Sequence, residues 1–582
     1  MIMKYKTLII LTVIFILAVL LRAISAQHSN VITDESVFAV RSINFLSSGM
    51  YSTIDQAPLH LALVDLSERA FGVSGWSSRL PNIIFGGLAI FLIYLIVCEF
   101  GDRKWALLSA ALFAFSPFSI LFNIEPDMTA IFFTLLSILF FMKALRKDLK
   151  YLLYSFFFLG VAALAKLIAL FILPAYIIGL AYYWKKDSNL VFTIDNGKIK
   201  FKRQGIKILL WAGVLLLLAF SPILIYNLLL YIHTGLPDLI FARSLGFSGY
   251  DQYFGPELRT WSFASNLNVI WIFVKRLWSY DTILLFSSLI GLIYSFARKK
   301  KENIVLFIAF LFILFFISGT AGTSKSHYLF LTPFLSILGG YALSEILQKF
   351  KSQFPTFITV IIILLAFSSV ILVHNKMFQP EGMIGLREEA KKMENNALVI
   401  VDSRIYRGNI AWNFHDKHYV ESQYFPQVYQ MLNDQNLSKV TAPVYFVECI
   451  QNDCGWGRGL KENKPVQELN EQLVAIFKEA AIETKEVPGK QYSFNIYKTM
   501  MMVPPEVYDA IEGTHEFMFY SVGWKDNTKH LDHYTLTSFP YKALNYLGKA
   551  LFYLLLVISL ASLYLVYKLV RNELQAAEQP FS

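Results

Sequence analysis

Charge is what this sequence has least of. Only 16% of its 582 residues are Asp, Glu, Lys or Arg, where a soluble domain carries about 25%. Cysteine is nearly absent, with three in the chain, which excludes a disulfide scaffold. The shortage of polar residues equally excludes a disordered chain. What stands in their place is apolar and aromatic: 55% hydrophobic residues, 51 Phe, 31 Tyr and a mean hydropathy of +0.49. That composition is foreign to an ordinary cytosolic enzyme. It implies a polytopic α-helical membrane protein, because apolar runs of about 20 residues span a bilayer.

Apolar runs lie at 1–24, 82–99, 105–122, 128–144, 151–165, 167–183, 208–229, 281–297, 303–318, 327–347, 356–374 and 544–568, which makes about 12 transmembrane helices. The first can also be read as a signal peptide, with Ala23-Ile24-Ser25-Ala26 as its cleavage site. A retained anchor suits a chain in which so many spans follow. Lys and Arg concentrate in alternate short loops, such as 143–150, 185–207 and 297–303, and the loop at 123–128 has none. By the positive-inside rule the N-terminus is cytoplasmic. The net charge of +10 is then topogenic, and no nucleic-acid partner is needed to explain it.

Three sizeable segments fall on the opposite, outer face. Residues 25–81 form the first loop. Within 230–280, the stretch Trp261–Trp278 reads as an aromatic helix lying along the membrane. Residues 375–543 turn polar and read as a soluble α/β domain, with strand-like runs at Ala397–Val401, Val444–Val447 and Tyr492–Lys498 and a helix at Leu469–Ala481. The chain thus divides into a membrane domain (1–374), an outer domain (375–543) and a final helix with a cytoplasmic tail (544–582). Cys449 and Cys454 can pair if that face is oxidising, and Cys98 is inert packing.

The span centres carry almost no charge, whereas a transporter would bury ionisable groups near the midplane. The acids sit at outer helix ends: Asp34-Glu35 in the first loop and Asp127 beside Glu125 in the second. Carboxylates there suit a reaction at headgroup level on a membrane-anchored substrate. Asp34 and Asp127 also read as caps of the helices that follow them.

The stretch Ile32–Tyr51, then Ala57-Pro58-Leu59 and Arg79-Leu80-Pro81, with Pro126-Asp127-Met128, Leu159–Lys166 and Ser324–Leu343, resembles the polyprenyl-phosphate-sugar-dependent glycosyltransferases of the GT-C superfamily. Within it, the chain is most similar to the protein O-mannosyltransferase and lipid A aminoarabinose transferase group. The resemblance covers roughly residues 1–345; Gln56-Ala57 replaces the group's Lys-Pro, which removes one expected cation. It implies an inverting glycosyltransferase moving one sugar from a dolichyl- or polyprenyl-phosphate donor to a hydroxyl of a protein or lipid-linked glycan. The leaving group is already a stable phosphate anion, so the chemistry needs one base for the acceptor proton and cations to hold the phosphate. Asp34 is the expected base, with Glu35 and Asp127 positioning the acceptor or sharing its proton.

Candidate phosphate contacts are Lys325, His327 and Tyr328, with Lys166 and Arg79. Each has a simpler role open to it: Lys325 can snorkel, Lys166 can break a hairpin, and Arg79 can pair with a loop acid. Tyr253, Glu257 and Arg259 are candidates to close over the substrate. The superfamily's oligosaccharyltransferases use Asp-x-Asp with a divalent ion. Here the acids are adjacent and point about 100° apart on a helix, which disfavours joint chelation without excluding a divalent metal, so no cofactor is expected, and His530-Leu531-Asp532-His533, which could bind a metal, is read as a polar loop. The rival functions are a flippase or transporter of lipid-linked sugar, an oligosaccharide or polymer transferase with a pyrophosphate-linked donor, and a membrane receptor.

Overall fold

The structure is a computed structural model. It describes residues 2–31, 34–48, 58–121, 126–184, 192–195, 198–201, 203–235, 237, 241, 263–320, 326–350, 354–377, 381–451, 454–455, 463–514, 516–517, 520–521 and 538–576. Eight of the described helices are long and apolar enough to cross a membrane: Thr7–Gln27, Gly75–Cys98, Asp127–Arg146, Gln204–His233, Lys301–Ser318, Tyr328–Leu347, Thr356–Asn375 and Phe539–Glu573. Tyr151–Ala165, Leu167–Ala181 and Thr282–Ala297 are shorter apolar helices. The chain is an integral membrane protein.

The run at 105–122 is not one span. Arg103–Ala114 and Pro117–Leu121 are separate helices, because Pro117 has no amide to continue the ladder and pushes Ser116 out of the helical region. Arg22 repairs the break. Fully buried, it donates from Nη1 to Ala114 O at 3.1 Å and from Nη2 to Ser119 Oγ at 2.8 Å, so a cation meets the negative end of a helix.

Gly75–Cys98 begins seven residues before its apolar run. Ser74 and Ser77 form a capping box, with Ser77 N donating to Ser74 Oγ at 3.1 Å and Ser74 N to Ser77 Oγ at 3.0 Å. Pro81 leaves the Ser77 carbonyl without its helical donor, and Ser67 Oγ donates to it instead at 2.6 Å. This N-terminal extension of about two turns carries Arg79.

At that end of the bundle lie Asp34–Ser42, the helix Pro58–Phe71 and a sheet domain. A small antiparallel hairpin, β1 (Phe192–Asp195) and β2 (Lys198–Phe201), precedes the sheet in the chain. The sheet comprises β3 (Leu398–Val401), β4 (His418–Glu421), β5 (Val440–Cys449), β6 (Glu483–Val487) and β7 (Phe494–Val503), in the order β4-β3-β5-β7-β6. β3 runs parallel to β4 and β5, and β7 antiparallel to β5 and β6. Alternation along β3 splits the core. Val399 and Val401 pack with Leu386 and Ile410 on one face, and Leu398 and Ile400 pack with Val428, Leu473 and Val507 on the other.

The first of these faces is completed from outside the domain. Val31, Val37, Ala39, Val40 and Ile43 join its core, so the helix carrying the acidic pair is the joint between bundle and sheet. Asn30 pins the joint, donating to Glu381 Oε2 at 2.6 Å and accepting from Ile384 N at 3.2 Å. Cys449 and Cys454 are disulfide-bonded, and Cys98 is free. Phe263–Tyr280 is helical and exposes Leu267, Trp271 and Trp278.

Candidate functional site

Asp34 and Glu35 occupy the first turn of Asp34–Ser42, where the helix dipole favours negative charge. Adjacent helical positions diverge, and here they separate the pair: Asp34 is exposed and Glu35 is buried. Arg79 holds Glu35. Its Nε reaches Glu35 Oε1 at 2.5 Å and its Nη2 reaches Oε2 at 2.9 Å. The remaining N–H groups go to the carbonyls of Asn30 at 2.8 Å, Ser29 at 2.7 Å and Ala26. An arginine has five N–H donors, and all are used. This corrects the reading of Arg79 as a phosphate contact: it pairs with the loop acid, ties the end of the first membrane helix to the acidic helix, and has no donor left for a lipid phosphate.

Asp127 is the first residue of its helix, not the cap; the cap position belongs to Pro126. Its Oδ2 accepts from Lys166 Nζ at 2.6 Å, with both residues buried. The second oxygen, Oδ1, is buried without a hydrogen-bond partner among the described residues. Lys166 is extended, with φ −159° and ψ 126°, where Tyr151–Ala165 ends. It therefore breaks the helical hairpin and meets Asp127 at once.

Tyr328 is fully buried. Its ring stacks on Phe273 with centroids 4.9 Å apart, the Arg276 guanidinium lies 5.3 Å from its centroid, and its hydroxyl donates to Val269 O at 3.4 Å. It ties the amphipathic helix to the bundle rather than presenting its hydroxyl to a ligand. The turn Ser326–Leu331, which carries His327, packs against Asp127–Arg146. Lys325, Tyr253, Glu257, Arg259 and the His530–His533 stretch lie outside the described residues, as does the His327 side chain.

Sequence reasoning missed two groups on Pro58–Phe71. His60 is buried, with Nδ1 3.0 Å from Thr129 Oγ1, whose hydroxyl donates to Asn82 Oδ1 at 3.3 Å. Burial and the charge of Lys166 push its pKa down to about 3, so it is a neutral imidazole beside the Asp127–Lys166 pair. Its signal was its place, a lone titratable residue within the apolar run Pro58–Leu63. Glu68 is buried and accepts from Ser78 at 2.8 Å and Ser42 at 3.1 Å. Burial pushes its carboxyl up to about 8. Nothing local distinguishes it from a surface acid. Among the described residues no three His, Cys, Asp or Glu groups converge as metal ligands.

The arrangement is therefore one exposed carboxylate, Asp34, on a helix locked from beneath by Glu35–Arg79, with a buried Asp127–Lys166–His60 layer nearby. Residues 55–226 match the family model for dolichyl-phosphate-mannose-protein mannosyltransferase. YkcB of Bacillus subtilis (strain 168) is 30% identical over 132 residues, 22% of this chain. The match spans 18% of that relative's length. Among solved structures, ArnT from Cupriavidus metallidurans superposes over 83% of this chain and 97% of its own, at 12% identity and a TM-score of 0.54. The same values hold for ArnT bound to undecaprenyl phosphate. The chain shares the fold of ArnT.

Proposed function

We propose that the protein is a membrane glycosyltransferase that moves one sugar from a polyprenyl- or dolichyl-phosphate carrier to an acceptor hydroxyl, with inversion. The observation that carries this reading is the division of labour between the acids: Glu35 and Asp127 are buried on cations, and Asp34 alone of the three is exposed. The match to a mannosyltransferase family model and a fold shared with a protein solved in complex with undecaprenyl phosphate support it.

Asp34 takes the proton of the acceptor hydroxyl as that oxygen bonds to the anomeric carbon, and the bond to the carrier phosphate breaks on the opposite face. The carrier leaves as a phosphate monoester, which needs no proton from a general acid. In this reading Lys325 and His327 hold the phosphate, Asp127 and Lys166 fix the neighbouring helix ends, and no metal is required. The Lys and Arg distribution of the loops and the Cys449–Cys454 disulfide support an outer or luminal site with a cytoplasmic N-terminus, since disulfides persist in oxidising compartments.

The test is transfer from labelled polyprenyl-phosphate sugars into membrane extracts by wild type and Asp34→Asn. Product from wild type, lost in the variant while donor still binds, is the expected result. Transfer that survives Asp34→Asn would remove Asp34 from the chemistry, and lipid movement without a new glycosidic bond would indicate a flippase.

A further inference from the structure

The carboxyl ends of β3, β4 and β5 lie at one edge of the sheet. The chain leaves β3 for the helix Arg407–Phe414 on one face, and leaves β4 and β5 for helices Phe425–Asn433 and Lys464–Ala480 on the other. In an open α/β sheet the crevice at such a reversal is where ligands bind. Four partly exposed side chains meet there. Arg407 Nε donates to Glu421 Oε2 at 3.0 Å, and Gln423 Nε2 donates to the same oxygen at 2.6 Å. The Arg407 guanidinium lies 5.4 Å from the Tyr424 ring centroid, and its Nη2 bonds the Tyr424 hydroxyl.

This edge faces the acidic helix. Gly408, next to Arg407, is packed so tightly that a Cβ there would lie 2.6 Å from Ser36 Oγ, and Ser36 is two residues from Asp34. None of the four side chains serves the buried layer around Asp127. Their chemistry is specific: one aromatic ring beside a guanidinium, a carboxylate and a carboxamide held in fixed relation. Arg407 and Glu421 cancel in charge, so the edge offers little to an anion such as phosphate. It offers directional donors and acceptors to a neutral, polyhydroxylated ligand, and a site that hydrogen-bonds hydroxyls rejects analogues lacking them.

We propose that Arg407, Glu421, Gln423 and Tyr424 form a carbohydrate subsite that holds a glycan acceptor over the helix bearing Asp34. This rests on the glycosyltransferase reading and narrows its acceptor to a sugar rather than a protein side chain.

The experiment is saturation-transfer NMR on the full chain in nanodiscs. The probes are the methyl glycosides of mannose, glucose, galactose and N-acetylglucosamine, with a Ser/Thr-containing peptide as the competing ligand. The expected result is saturable binding of at least one glycoside, weakened about tenfold by Gln423→Ala and by Tyr424→Ala, the loss of roughly one directional contact. Two variants on different atoms guard against one that misfolds, and thermal unfolding identifies such a variant. No saturable glycoside, equal binding by wild type and both variants, or binding of the peptide alone would overturn the subsite. Binding is read without turnover. A chain that binds a glycoside through these residues but transfers nothing from lipid-phosphate sugars would sink the enzyme reading and leave the subsite standing.

Discussion

Replacing Arg79 by lysine separates a strut from a phosphate ligand. Arginine at this position makes five hydrogen bonds, two to Glu35 and three to backbone carbonyls at the end of the first membrane helix. Lysine keeps the charge but brings three donors on a flexible stem. At least two buried acceptors lose their partner, each at about 1–3 kcal/mol, so Arg79→Lys should cost about 4 kcal/mol of stability. Solvent screening does not rescue the pair, because the side chains are 1% and 7% exposed. Glu35 adjoins Asp34, so loosening it moves the proposed base, and misplacement by about 1 Å costs roughly 100-fold in turnover. Thermal unfolding in detergent and steady-state transfer kinetics read the two effects together. The expectation is a lower melting temperature and a lower kcat with donor KM unchanged. A raised donor KM with an unchanged melting temperature would refute the argument and return Arg79 to the phosphate.

Further outcomes are expected elsewhere. Lys166→Met strands the Asp127 carboxylate in the bundle at about 3–5 kcal/mol, and adding Asp127→Asn should recover part of that loss, which a double-mutant cycle on melting temperatures measures. Gly408→Val drives a side chain into Ser36 and Val37. It should loosen the sheet domain from the acidic helix, seen as faster proteolysis near residue 381 and reduced turnover. In the sheet domain, burial and the neighbouring Arg387 push His415 down to about 4. The folded group then holds its proton less tightly than the unfolded one, so this contribution is complete above about pH 6.5 and falls away as pH drops towards 4, by about 3 kcal/mol in total. His415→Gln should flatten that slope in acid-unfolding curves.

Most of the architecture was legible because its causes are local. An apolar run of sufficient length dictates a membrane helix whatever surrounds it, which is why 128–144 reappears within Asp127–Arg146 and 356–374 within Thr356–Asn375. Exceptions also have local causes that composition hides. Pro117 divides a run that hydropathy joins, and the Ser74–Ser77 box starts a helix seven residues before its apolar stretch. The strand-like runs at Ala397–Val401 and Val444–Val447 recur in β3 and β5, and the Cys449–Cys454 pair forms. Strand alternation and close cysteine spacing are short-range signals.

The site divides differently. The flanking apolar runs are enough to put Asp34, Glu35 and Asp127 at helix ends next to charge-free spans. Which of them are buried in ion pairs depends on packing. Glu35 finds Arg79 across 44 residues and Asp127 finds Lys166 across 39, and no local pattern announces such partners. The same holds for His60 and Glu68, whose burial comes from helices packed over them, and for the sheet edge that meets Ser36 at Gly408. Helix formation depends on neighbours in the chain, whereas the state of a carboxylate depends on neighbours in space.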